Sequence, residues 1–147
     1  MGGRRQAREQ ALQLLYQVDG DLRTIDDALR LFWDTEDEDD ETDHDVVEFA
    51  TVLAKGASAQ RERIDELISE ASINWKVRRM SLVDRNILRL AVFEFIALND
   101  VPANVSINEA IELGKRFGTT ESGKFINGIL DRIARNLGVS GSSKGRR

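Results

Sequence analysis

The sequence predicts an all-α fold of six or seven helices. Three observations carry that expectation. Apolar residues recur at three- and four-residue spacings along most of the chain, and no run shows sustained period-two alternation with β-branched enrichment. A single proline, Pro102, interrupts 147 residues, which leaves room for long helices. Ser81-Leu82-Val83-Asp84 and Ser106-Ile107-Asn108-Glu109 both carry the pattern of a helix-starting capping box, the first with Asp in place of the usual Glu.

The elements follow in order. Residues 4–18 read as a helix whose apolar positions are Ala7, Ala11, Leu12, Leu14, Leu15 and Val18, with Asp19-Gly20 as its stop. Leu22, Ile25, Ala28, Leu29 and Phe32 make a second, shorter helix. Residues 46–71 read as one long helix with Gly56 inside it. An interior glycine costs about 1 kcal/mol relative to Ala, so its presence points to a close helix contact. Ser81 starts a helix bearing Val83, Ile87, Leu90, Ala91 and Leu98, and Phe93 and Phe95 widen its apolar face into that of a central helix. Asn99-Asp100 and Pro102 stop it. Ser106 starts, or lies in the first turn of, the next helix, which Gly118 ends. Thr119 or Thr120 caps a last helix through Phe125, Ile126, Ile129, Leu130, Ile133 and Leu137. Residues 138–147 form a flexible basic tail rich in Gly and Ser.

Composition narrows the function. No apolar run approaches the ~20 residues that a membrane span needs, and the arginine-rich N-terminus lacks the apolar stretch of a secretory signal. The absence of cysteine excludes disulfides and thiolate metal sites and fits a reducing cytoplasm. The net charge of −5 is unevenly spread. Residues 34–45 hold nine acids and no Lys or Arg, and the rest of the chain carries +4. Local basic patches, not the overall sign, decide whether an anionic partner is attracted.

Catalysis finds little support. His44 is the only histidine and sits in the acidic run, where a solvated loop is the commoner outcome. No nucleophile elbow, phosphate loop or dinucleotide fingerprint is present, and Gly123-Lys124-Phe125 lacks the upstream glycines of a phosphate loop. The chain reads as a non-enzyme with no cofactor.

The basic N-terminus is more informative. Arg4 and Arg8, four apart, share a helix face, and Arg5 flanks it. Guanidinium groups bind phosphate bidentately and stack on exposed bases. Arg89 lies between apolar neighbours on the central helix, placed to pair with an acid or reach a ligand. Phe125 follows Lys124, an aromatic–cation pair suited to single-stranded nucleic acid, although a buried Phe is commoner. Tyr16 fits the core edge with its hydroxyl outward. Trp33 and Trp75 read as packing residues, and Asn108 and Asn127 as inter-helix hydrogen-bonding amides.

Five segments together resemble the NusB family of bacterial transcription antitermination factors. They are Arg4-Arg5-Gln6-Ala7-Arg8-Glu9 with Leu15-Tyr16, Val83-Asp84-Arg85-Asn86-Ile87-Leu88-Arg89, Asp100-Val101-Pro102, Ile107-Asn108-Glu109-Ala110-Ile111-Glu112-Leu113 and Lys124-Phe125-Ile126-Asn127-Gly128-Ile129-Leu130-Asp131. The resemblance spans roughly residues 4–134, dense after residue 83 and carried only by helical pattern across 20–62. It implies a NusB-like helical domain of two small helix bundles packed together, about 4–72 and about 73–137. It also implies a cytoplasmic, non-catalytic factor that pairs with ribosomal protein NusE. The pair binds single-stranded boxA RNA in ribosomal RNA leader transcripts, and loading onto an RNA polymerase antitermination complex suppresses termination.

Carried over by motif, Arg4, Arg5 and Arg8 match the family's arginine-rich RNA-binding stretch, with Gln6 where a further Arg often stands. Arg89, Glu121, Lys124 and Phe125 match positions expected near RNA. Tyr16 and Asp84 match the expected NusE contact. Ala71 stands where some relatives carry an aromatic RNA contact. The acidic run and the basic tail lie outside the family pattern, and the run is long enough to compete with RNA for the basic rim.

Two other readings compete. One is a helical protein–protein interaction or homodimerisation module without RNA binding, in which the arginines meet acids on a partner or on water. The other is a fragment of a ribosomal RNA methyltransferase, which this chain, with no room for a cofactor-binding sheet, could not serve alone.

Overall fold

The computed structural model describes residues 3–21, 23–34 and 43–139. Most of the acidic run, residues 35–42, and the tail from residue 140 lie outside the described residues. Among those described there are seven α-helices and no strand: α1 (Gly3–Asp21), α2 (Ile25–Asp34), α3 (His44–Ala59), α4 (Arg61–Ala71), α5 (Leu82–Ala97), α6 (Ala103–Phe117) and α7 (Ser122–Leu137), with a 3₁₀ turn at Val77–Arg79 before α5.

The organising element is α5, which packs against α1, α3, α4, α6 and α7. Every residue from Asn86 to Phe95 is buried, as expected of a helix apolar on nearly all sides. One cluster of buried side chains, from Ala11 and Leu14 through Leu53, Ile68 and Leu88 to Leu130 and Ile133, runs through both predicted halves. The close contact that Gly56 foreshadows is present. A Cβ at this position would lie 2.1 Å from the Phe93 ring, so α3 meets α5 where only hydrogen fits.

Several local expectations need correction. The predicted 46–71 helix is two helices, broken at Gln60 (φ −104°, ψ 20°), whose N–H donates back to the carbonyls of Gly56 and Ser58. The break re-aims the chain so that Ile64, Ile68 and Ala71 of α4 enter the core. Ser81 does cap α5, its Oγ accepting from the Asp84 N–H at 3.0 Å. Helix α6 begins at Ala103 after Pro102, so Ser106 lies buried in its first turn, the second of the two places its pattern allows. The start of α7 is held differently too. Thr119 Oγ1 accepts from the Glu121 N–H at 3.3 Å, and Ser122 Oγ accepts from the Thr119 N–H at 2.9 Å. Asn108 and Asn127 are exposed, not inter-helix amides; Asn86 holds that role. Trp33 is partly buried against the core, but Trp75 is 54% exposed.

Candidate nucleic-acid interface

Three polar residues sit in the buried stretch of α5, namely Asn86, Arg89 and Glu94. A buried charge is tolerable only when paired and hydrogen-bonded, and each of the three recruits another helix. Glu94 accepts two bonds from Arg8 of α1, from Nε at 2.8 Å and from Nη2 at 2.7 Å. It accepts a third from Ser106 Oγ of α6 at 2.7 Å. One carboxylate thus ties α1, α5 and α6 together. Burial disfavours the Arg8 charge, but the hydrogen bonds and charge of Glu94 outweigh it, and the Arg8 pKa is raised.

A second network ties α1 and α4 to the start of α5. Asp19 accepts from Arg85 Nε at 2.6 Å, Arg85 Nη2 at 2.8 Å, Asn86 Nδ2 at 3.0 Å and Arg89 Nη1 at 2.9 Å. Arg89 also makes a two-pronged contact with Asp65 of α4, at 2.8 and 3.0 Å. The Asp19 side chain is only 5% exposed. Burial pushes its carboxyl up, but the bonds from Arg85 and Asn86 and the charges of Arg89 and Arg85 prevail and hold it at about 2.

These networks decide where the sequence-predicted RNA residues stand. Arg8 and Arg89, with side chains 6% and 4% exposed, commit their guanidinium groups to Glu94 and to Asp19 and Asp65; both stand inside the fold. Arg4 and Arg5 project outward. Arg4 lies over the Phe49 ring at 4.4 Å and 3.9 Å from Asp100. Arg5 donates two bonds to Glu109 of α6, at 3.0 and 2.9 Å. Those bonds raise the Arg5 pKa and lower that of Glu109. The pair is at the surface, where such bridges are weakly held and a phosphate can take the carboxylate's place.

Lys124 is exposed and lines a hollow between α6 and α7 with Ile111, Lys115, Thr119, Gly123 and Asn127. Glu121, just before α7, is exposed beside it, while Phe125 is half-buried. Helix α6 links the two basic regions, since its Glu109 holds Arg5 and its Lys115 faces the hollow.

Tyr16 and Asp84 flank one junction. The end of α1 meets the start of α5, where a Cβ on Gly20 would lie 3.6 Å from Leu82 and where Asp19 meets Arg85. Tyr16 is 45% exposed. Asp84 is half-buried, and its Oδ1 has no hydrogen-bond partner among the described residues. Sequence reasoning missed Asp19, Asp65 and Glu94. Their only signal was three polar residues inside an otherwise apolar helix, each of which required a distant partner.

Among the described residues no group of three or more His, Asp or Glu side chains is arranged to hold a metal ion, and no helix is long and apolar enough to cross a membrane.

Comparison with known proteins gives a consistent result. The model of the NusB family matches residues 5–135. The transcription antitermination protein NusB of Myxococcus xanthus is 49% identical over 134 residues, covering 91% of this chain and 96% of that protein. That of Desulforapulum autotrophicum is 51% identical over 133 residues, covering 90% and 92%. Among solved structures, NusB of T. maritima superposes with a TM-score of 0.81 at 39% identity, covering 90% of each chain. A structure of antitermination factors NusB and NusE in complex with double-stranded RNA superposes with a TM-score of 0.81 at 28% identity, covering 92% of this chain and 98% of the other. The chain belongs to the NusB family.

Proposed function

We propose that this protein is a non-catalytic, cytoplasmic transcription antitermination factor. It pairs with ribosomal protein NusE, and the pair binds single-stranded boxA RNA of ribosomal RNA leaders and joins an RNA polymerase antitermination complex. The observation that carries this reading is the near-full-length likeness, about half of all positions, to NusB antitermination proteins. The structural neighbour solved with NusE and double-stranded RNA adds support for NusE and for RNA as partners.

The residue roles within this reading follow from exposure. Arg4, Arg5 and Lys124 supply phosphate contacts, Phe125 offers a ring edge to a base, and Glu121 accepts a hydrogen bond from a 2′-hydroxyl or a base amine. Arg8 and Arg89 act through the fold. Arg8 fixes the turn of α1 that presents Arg4 and Arg5, and Arg89 fixes the α1–α5 junction that presents Tyr16 and Asp84 to NusE. Two binding surfaces on one rigid body let RNA and NusE reinforce each other.

Fluorescence anisotropy of a labelled boxA-containing RNA, with and without NusE at two salt concentrations, tests this reading. The expected result is binding that tightens with NusE and weakens steeply with salt. Absence of RNA binding even with NusE would favour the protein-only interaction or homodimerisation module.

A further inference from the structure

Trp75 is the largest exposed side chain that the interface above leaves unused. It lies in the α4–α5 connection, four residues after Ala71. Ala71 itself is fully buried, so it offers nothing to a base. Trp75 is 54% exposed, and its ring meets Phe125 of α7 edge-on, with centroids 6.3 Å apart and planes at 87°.

The connection that carries it is braced. Ser72 Oγ donates to the Trp75 carbonyl at 2.7 Å, and Arg132 Nη1 of α7 donates to the Ala71 carbonyl at 2.7 Å. Val77 and Met80 are buried just beyond. A tryptophan with buried anchors on both sides and its own ring left outside is held out by the fold. Leaving so much apolar surface in water is unfavourable, which calls for an occupant.

The surroundings select one. Lys76, Arg78 and Arg79 follow directly and are exposed. None of the three has a carboxylate partner among the described residues. Lys76 and Arg78 line an open hollow with Arg61 and Arg85, where Asp65 is the only acid. An exposed indole followed directly in the chain by unpaired cations suits an unpaired base followed by its phosphates, and an apolar protein partner would leave those cations desolvated.

We propose that the exposed face of the Trp75 indole, propped edge-on by Phe125, is the platform on which one unpaired RNA base stacks, with Lys76 and Arg78 taking the adjacent phosphate. The platform supplies from the α4–α5 connection the aromatic contact that Ala71 cannot make. This inference rests on the RNA-binding reading above and extends it from the start of α7 to the α4–α5 connection.

The test uses full-length protein, NusE and the same boxA-containing RNA. Trp75→Ala, Trp75→Phe and Lys76→Ala are compared with wild type over a salt series, with helicity checked by circular dichroism. Trp75→Ala should weaken binding roughly 5- to 100-fold with an unchanged salt slope. Trp75→Phe should restore most of the affinity, and Lys76→Ala should lower the slope by about one. An RNA carrying an abasic nucleotide at the stacked position should lose its sensitivity to Trp75→Ala, since the two changes remove one contact.

Wild-type affinity in Trp75→Ala overturns the platform while leaving the RNA-binding reading intact. Weakened NusE pairing at unchanged intrinsic RNA affinity overturns it in favour of a protein contact. Failure of the wild type to bind RNA overturns both.

Discussion

Replacing Arg8 with Ala separates a scaffold role from an RNA contact. In the fold the Arg8 guanidinium makes two short bonds to Glu94, and the two side chains are 6% and 2% exposed. Removing it leaves the Glu94 carboxylate buried with Ser106 Oγ as its one remaining partner. Breaking a buried pair by deleting one member costs about 3–5 kcal/mol, out of a total stability of about 5–15 kcal/mol for a domain. For a chain of this size each kcal/mol lowers Tm by about 2–4 °C, so the expected drop is ~6–20 °C. Urea unfolding followed by circular dichroism gives the stability, and anisotropy at a temperature where the variant is folded gives RNA affinity. Replacing both partners, Arg8→Met with Glu94→Met, should recover much of the loss, because no charge is then stranded. If Arg8→Ala is as stable as wild type to within about 0.5 kcal/mol and yet loses RNA affinity, Arg8 contacts RNA and the clamp is wrong.

The remaining predictions address packing, acid stability and surface charge. Gly56→Ala would force the Phe93 ring back by roughly 1.5 Å to restore van der Waals contact. The overpacking, about 1–3 kcal/mol, exceeds the gain in helix propensity of about 1 kcal/mol, so urea unfolding should show net destabilisation that disappears in a Phe93→Leu background. Asp19 titrates at about 2 in the fold against an ordinary value of 3.8. A lowered carboxylate pKa adds stability that is complete above 3.8 and lost as pH falls toward 2, here about 2 kcal/mol. Asp19→Asn, though less stable at neutral pH, should lose less on going from pH 5 to pH 2; an identical loss would show that Asp19 is not the titrating group. Arg5→Ala should leave Tm nearly unchanged, since the Arg5–Glu109 pair is at the surface. It should also flatten the salt dependence of RNA binding by about one unit of slope, whereas an unchanged slope would place Arg5 off the RNA path.

Much of this architecture is legible in the chain because it follows from local rules. The period of the apolar residues marks all the major helices. Gly56, awkward in a helix, announces the Phe93 contact. Phe93 and Phe95 broaden one helix into the centre of the fold. What escapes is set by tertiary geometry. Gln60 carries no breaking signal, and the helix breaks there because α4 must turn its isoleucines inward. Ser106 and Glu109 have the spelling of a cap, but Glu94 and Arg5 claim them from other helices. The arginine-rich start reads as a uniform basic patch, yet one helical face points inward. Arg8 therefore becomes core while Arg4 and Arg5 stay outside, and only a partner 86 residues away decides it. Trp75 reads as packing because tryptophans usually are, although Asn74 and Lys76 beside it argue against burial. The expectation that Arg5, Lys124 and Phe125 serve one RNA surface rests on family resemblance; spacing alone does not bring residue 5 to α6.

The most direct test of the central claim is transcription by RNA polymerase through a boxA leader and a downstream terminator, with NusE and the other antitermination factors present and this chain added or withheld. The account predicts that adding the chain raises readthrough, that mutating boxA abolishes the gain, and that Arg5→Ala with Lys124→Ala reduces it. Readthrough that is the same with and without the chain would contradict it.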